Sequence, residues 1–200
     1  MKKILIIISC ISAIALTVFS TWHMSRGRQG YEGEIGVTDI MISKYEAKAQ
    51  FINDHFPMVH AYTGSETVAR RILSAVYENS LLYGLSPGLI LSVIEVESEF
   101  NPRAYSAAGA IGLMQIMPVT GTDIGRSLGL WVNNDHDLYD IEKNIQIGVV
   151  FLKECIERLG ERNGLGYYYA GHNTEHYHRY TKKIAVAREL WMVYRARERA

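Results

Sequence analysis

Between Ile90 and Pro118 the chain reads Ile-Leu-Ser-Val-Ile-Glu-Val-Glu-Ser-Glu-Phe-Asn-Pro-Arg-Ala-Tyr-Ser-Ala-Ala-Gly-Ala-Ile-Gly-Leu-Met-Gln-Ile-Met-Pro. Three carboxylates, Glu95, Glu97 and Glu99, occupy alternate positions in it. On a helix that advances about 100° per residue, alternate positions do not share a face. Glu95 and Glu99 fall with Ser92 and are expected to be surface charges. Glu97 continues the row Ile90, Val93, Ile94, the spacing of a core-facing stripe. Apolar surroundings disfavour ionisation, so the Glu97 carboxyl is expected to titrate high. A carboxyl poised near neutrality is what a general acid requires. Taken alone, the same pattern is equally well explained by a partly buried acid held in an ion pair or hydrogen bond.

The residues after Glu97 favour chemistry. Asn101 precedes Pro102, a context that disfavours helix, so the helix is expected to stop there with Glu97 in its last turn. The loop from Pro102 to Pro118 carries no charge after Arg103. Gly109 and Gly112, among small residues, let its backbone come close to a neighbour or a ligand.

The elements that must position this stretch are helical. After Gly64, Ser65 caps a helix from about Glu66 to Tyr83, with Val68, Ile72, Ala75, Val76 and Leu82 facing inward and Gly84 as its stop. Ser86 and Pro87 open the Glu97 helix. Thr120 to about Leu128 is a short helix. Asp140-Ile141-Glu142 starts a strong one whose Ile145, Val149, Leu152, Ile156, Leu159 stripe is core and which ends at Gly160. After another turn comes Tyr167 to Gly171, and a last helix runs from about Glu175 to Arg195. Before all of these, Thr38-Asp39 caps a helix to about His55, with Pro57 beyond it. No stretch alternates as a strand, so the fold class is mainly α with at most a small β-hairpin.

The whole chain has 200 residues, 48% of them apolar, and a formal net charge of zero. That fits one globular domain with extensions and gives no electrostatic reason to expect nucleic acid. Two cysteines, Cys10 and Cys155, imply no disulfide framework, and Cys155 reads as a buried thiol. Met1-Lys2-Lys3 followed by an apolar run from Ile4 to Phe19 is an export signal. The organisation expected is therefore a signal peptide or N-terminal membrane anchor over 1–22, a glycine-rich linker over 23–37, a helical extension over 38–63, the main domain over 64–195 and a tail over 196–200. The protein is expected to work outside the cytoplasm.

Several motifs together carry a resemblance. Glu97-Ser98-x-Phe100-Asn101-Pro102, Ser106, and Gly109-Ala110-x-Gly112-Leu113-Met114-Gln115-x-Met117-Pro118-x-Thr120 come first. Asp140-x-Glu142-x-Asn144-Ile145-x-x-Gly148-x-x-Phe151-Leu152 and Tyr180-x-x-Lys183-Ile184 come after them. From Val76 to Trp191 the chain resembles the catalytic domain of the lytic transglycosylases of the soluble (SLT) type. The resemblance implies a lysozyme-like, goose-type-lysozyme-like helical fold. It also implies cleavage of the β-1,4 bond between N-acetylmuramic acid and N-acetylglucosamine in peptidoglycan. Glu97 would act as acid and then base, leaving 1,6-anhydromuramoyl ends with neither metal nor cofactor. Ser98 and Gln115 would bond around the glycan, Met114 and Tyr168 would line the cleft, and Tyr180 would place its hydroxyl near Glu97.

One motif departs from the family. Where its members usually carry Ala-Tyr-Asn-Ala-Gly, this chain has Tyr167-Tyr168-Tyr169-Ala170-Gly171, so Tyr169 stands in the place of an asparagine that looks toward the substrate. This puts substrate preference in question rather than reaction class.

Two other readings remain open at this level: a muramidase that cuts the same bond with water, and a non-catalytic component that docks peptidoglycan for an envelope machine. Of His172, His176 and His178, the last two are two apart and so fall on different helix faces, and no acid or cysteine completes a set, so no metal is expected. The partners expected are peptidoglycan strands, a membrane tether through the N-terminal segment and, by analogy with other compact wall enzymes, an envelope secretion or appendage assembly.

Overall fold

The computed structural model describes residues 37–197. Among these residues seven α-helices succeed one another: α1 (Val37–Thr63), α2 (Glu66–Tyr83), α3 (Pro87–Ser98), α4 (Pro118–Ser127), α5 (Ile141–Leu159), α6 (Glu161–Ala170) and α7 (Tyr177–Arg197). Short 3-10 turns lie at Asp135–Tyr139 and Thr174–His176. No strand is formed among the described residues. The hairpin expected at most is reduced to two isolated bridges, Tyr105 with Ile111 and Ile111 with Ile116. The fold is mainly α.

The described residues fall in two units that part between Ile42 and Ser43. Of the first, only the opening of α1 is described. The expected signal or anchor over 1–22 lies outside the described residues, as does the linker up to Gly36. No described helix is long and apolar enough to cross a membrane.

In the second unit α5 is the central element, with α2, α4 and α6 against it, while α7 runs along α3 and α6. The helix ends obey the chemistry of their caps. Ser65 accepts from the Val68 amide at 3.4 Å, Asp140 from that of Lys143 at 2.9 Å, and Gly84 closes α2 in the left-handed region at φ 71°. The core gathers Ile72, Leu73, Val76, Leu91, Val93, Ile145, Val149 and Leu152. Leu82 and Leu159, expected inside, are exposed at the last turns of α2 and α5. Cys155 is buried, and burial pushes its thiol up to about 11.

Three expectations are corrected. First, α1 does not end near His55 but continues through Pro57 to Thr63. Proline costs an interior helix about 3 kcal/mol or more. Here both sides of the interruption are held by packing, with Phe51 and Ile52 before it and Met58 and fully buried Val59 after it.

Second, α3 stops at Ser98, short of Asn101, because Glu99 takes the left-handed C-cap position (φ 50°) and its amide bonds to Glu95 at 3.0 Å.

Third, the turn expected between Gly160 and Tyr167 is helical, the greater part of α6 (Glu161–Ala170). Two glycines argue against helix by propensity, yet packing demands them. A Cβ at Gly164 would stand 2.6 Å from the Cys155 carbonyl oxygen, and one at Gly166 would enter the Tyr177 ring.

Candidate active site

Glu97 projects from the last turn of α3 and is partly buried. Burial pushes its carboxyl up to about 7; the hydrogen bond from Tyr180 and the Lys183 ammonium pull the other way without cancelling that rise. The Tyr180 hydroxyl donates to Oε1 of Glu97 at 2.6 Å. Tyr180 is itself buried, and desolvation together with the neighbouring carboxylate holds its phenol well above the usual range. Among the described residues no second carboxylate acts on Glu97. A lone acid titrating near neutrality can give a proton to a leaving group and then take one back.

The two flanking acids differ from each other. Glu99 is exposed, as expected. Glu95 is not a surface charge, because it accepts from the Tyr62 hydroxyl of α1 at 2.7 Å and from the Trp191 indole of α7 at 2.8 Å. The helical wheel could not show this, since both partners lie far away in sequence. Glu95 therefore ties α1 and α7 to the helix that carries Glu97. Phe100, also left-handed at φ 60°, is buried against Trp191 and Tyr62, with ring centroids at 5.6 and 5.1 Å.

Left-handed backbone at non-glycine residues costs of order 1 kcal/mol or more each. In the described chain it occurs at Glu99, Phe100 and Gln115, all beside Glu97 or in the loop after it. The packing of Phe100 and the hydrogen bonding of the loop hold these residues there.

That loop is bonded to itself and to three helices. Ile111 and Ile116 exchange amide bonds at 3.0 and 2.9 Å, and the Gly112 amide reaches Ala104 at 2.8 Å. The single hydroxyl proton of Ser98 is shared between the Ile94 carbonyl at 3.0 Å and that of Leu113 at 2.8 Å, fixing the loop to α3. The Tyr168 hydroxyl donates to the Met114 carbonyl at 2.7 Å, fixing it to α6. Asn144 fixes it to α5: its Oδ1 accepts from the Met114 amide at 2.8 Å, and its Nδ2 donates to Ile111 at 2.9 Å and Leu138 at 2.8 Å.

The structure thus brings together the residues singled out by sequence, but at different depths. Glu97, Tyr180 and Tyr169 form a contiguous row, the Tyr169 ring lying stacked on that of Tyr180 with centroids 4.5 Å apart and planes 12° from parallel. Gln115 turns back on the loop, its Nε2 donating to Gly112 at 3.0 Å. Met114, expected to line a cleft, is instead fully buried, because it fills the space left by Gly148, where a Cβ would stand 2.5 Å from its sulfur. Tyr168 is likewise a buried brace, with its hydroxyl engaged by the loop.

Asn144 belongs to one of the motifs, but the sequence assigned it no role. A polar residue on the inner stripe of α5, between Ile141 and Ile145, was the signal that could have found it. His172, His176 and His178 do not converge; the His172 ring meets Tyr167 and His178 lies beside Arg162. Among the described residues no cluster of three His, Cys, Asp or Glu could hold a metal.

Comparison with known proteins adds to this geometry. The family model described as the Transglycosylase SLT domain matches residues 74–187. The protein named membrane-bound lytic murein transglycosylase C from Glaesserella parasuis serovar 5 (strain SH0165) is 48% identical over 90 residues, 44% of this chain and 24% of that protein. The transglycosylase of Enterobacteria phage PRD1 is 38% identical over 104 residues, 52% of this chain and 36% of that protein. The crystal structure of the 70-kDa soluble lytic transglycosylase from Escherichia coli aligns over 80% of this chain and 32% of its own, with a TM-score of 0.47 and 19% identity. The matched part of this chain spans about a quarter to about a third of the length of these two sequence relatives.

Proposed function

This chain belongs to the Transglycosylase SLT domain family, and from that premise we propose that it is a peptidoglycan lytic transglycosylase cutting the β-1,4 bond between N-acetylmuramic acid and N-acetylglucosamine. The observation that carries the reading is Glu97 itself: a single partly buried carboxyl raised to about 7 and addressed by the Tyr180 hydroxyl. A glycosidase with two carboxylates would use the second as base or nucleophile. Here that part falls to the substrate.

In the proposed sequence, protonated Glu97 gives its proton to the glycosidic oxygen as the bond to C1 breaks. The 2-acetamido oxygen of the muramoyl residue supports the positive charge left on C1. Glu97, now a carboxylate, takes the proton from the C6 hydroxyl, and O6 closes on C1. The products are a 1,6-anhydromuramoyl end and a free N-acetylglucosamine hydroxyl, and Glu97 is again protonated. No water is consumed, and the nucleophile is held in place by its own sugar ring, which is the larger part of its advantage.

Tyr180 would stabilise the carboxylate between the two proton transfers. Ser98 and Tyr168 would hold the loop in register with α3 and α6, Met114 would support it from below, and Gln115 and Tyr169 would meet the glycan. The export signal in the first 22 residues, and the words "membrane-bound" in the names of relatives, support a place on the periplasmic side of the inner membrane. The N-terminal segment would serve as signal or tether, and an envelope secretion or appendage assembly is proposed as the partner.

The test is digestion of purified peptidoglycan sacculi. The wild-type protein should release soluble muropeptides and Glu97→Gln should release none. Equal release by both would overturn the assignment.

A further inference from the structure

Tyr169 stands out because the family's usual asparagine is absent and because the aromatic ring in its place does not face solvent alone. It is 53% exposed, while the Tyr180 ring it covers is 2% exposed. The two planes lie 12° from parallel with centroids 4.5 Å apart, a face-to-face contact between the end of α6 and the first turn of α7. On its other side the Tyr180 side chain ends at the Glu97 carboxylate, 2.6 Å away. Bonds of this length between a hydroxyl and a carboxylate are strong only while the donor stays aligned.

We propose that Tyr169 is a positioning residue for the Glu97 acid, its ring clamping that of Tyr180 so that the hydroxyl stays on Oε1. This rests on the transglycosylase reading of the site.

The argument is geometric. A phenol hydroxyl leaves its partner when the ring tilts, and a flat neighbour over one face resists the tilt. Tyr168, next in sequence to Tyr169, is anchored through its hydroxyl to the Met114 carbonyl. The end of α6 is therefore fixed, and Tyr169 presents its ring from a rigid base. Asparagine has no comparable plane, so members that carry it must hold the tyrosine by other means or leave it freer. The groups acting with Glu97 are Tyr168 from α6 and Tyr180 and Lys183 from α7. Of these only Tyr180 bonds to Glu97, so the clamp acts through it.

The experiment is a double-mutant cycle on the full chain with solubilised glycan strands as substrate. Its four proteins are wild type, Tyr169→Asn, Tyr180→Phe and the double variant, with Tyr169→Phe alongside. A stacked aromatic pair contributes an effect of about fivefold. We expect Tyr169→Asn to lower kcat by about that factor, with a smaller rise in KM from the glycan contact of its ring. Because the Tyr180 bond favours the carboxylate, its loosening should move the alkaline limb of kcat/KM to higher pH, as in Tyr180→Phe. The double variant should be no slower than Tyr180→Phe alone, and Tyr169→Phe should restore most of kcat.

Losses that add in the double variant would overturn the proposal, as would a rise in KM with kcat held, which would make Tyr169 a glycan contact only. Thermal melts of each variant separate these outcomes from misfolding. The end group formed by the wild-type protein tests the transglycosylase reading separately, so the two can fail independently.

Discussion

The Tyr180 hydroxyl reaches Oε1 of Glu97 at 2.6 Å across 83 residues of sequence, from the first turn of α7 to the last turn of α3. Burial raises the Glu97 carboxyl to about 7 while this bond and Lys183 pull it down. In the proposed reaction Glu97 begins protonated. Activity should therefore fall as pH rises through about 7, and Tyr180→Phe should lower the rate while moving that alkaline limb upward. A kcat/KM profile of the two proteins checks both, and a limb that moves to lower pH would contradict the account.

The same shift predicts how stability depends on pH. An acid raised from 4.5 in the unfolded chain to about 7 in the fold leaves the folded state holding more protons between those values. Its contribution is therefore fully present below pH 4.5 and is lost as pH rises through 7. Its size is on the order of 3 kcal/mol. Urea unfolding at acid and alkaline pH should show wild type losing more stability than Glu97→Gln. Identical pH dependence in the two proteins would place the titration elsewhere.

Asn144 satisfies two backbone groups of the loop and one of the 3-10 turn before α5 while being 1% exposed. Replacing it with alanine strands the Met114 amide and the Ile111 and Leu138 carbonyls in the interior. We expect a loss of about 3 kcal/mol in denaturant unfolding, and a fall in activity because the loop after Glu97 loses its tie to α5. A stability change within about 0.5 kcal/mol would show that water or rearrangement takes over these bonds.

Gly148 and Met114 are a matched pair. A Cβ at Gly148 would stand 2.5 Å from the Met114 sulfur and 2.7 Å from its Cβ. Gly148→Ala should therefore cost about 2 kcal/mol by overpacking. Met114→Ala should cost less on this background than in wild type, because it removes the sulfur and methyl that crowd the new Cβ. Melting curves of the three variants test this, and simple additivity would refute it.

The legible part of the sequence was local. Ser65, Gly84, Pro87, Asp140 and Gly160 mark helix ends by cap chemistry that needs no partner, and they fall where expected. The inner face of Glu97 was legible from its place in the row of Ile90, Val93 and Ile94. The features that could not be read came from distant contacts. Glu95 looks like a surface charge until Tyr62 and Trp191 close on it. The segment after Gly160 looks like a turn until Gly164 and Gly166 are seen against α5 and Tyr177. The motif was sufficient to find the loop, but whether Met114 faces substrate or core was decided by the missing side chain of Gly148, which packing alone reveals.

The central claim is that Glu97 works alone, with the C6 hydroxyl of the substrate as nucleophile. Its most direct test is mass spectrometry of the glycan ends released from sacculi by the wild-type protein. The account predicts 1,6-anhydromuramoyl ends. Reducing muramoyl ends, heavier by one water, would contradict it and make the protein a hydrolase.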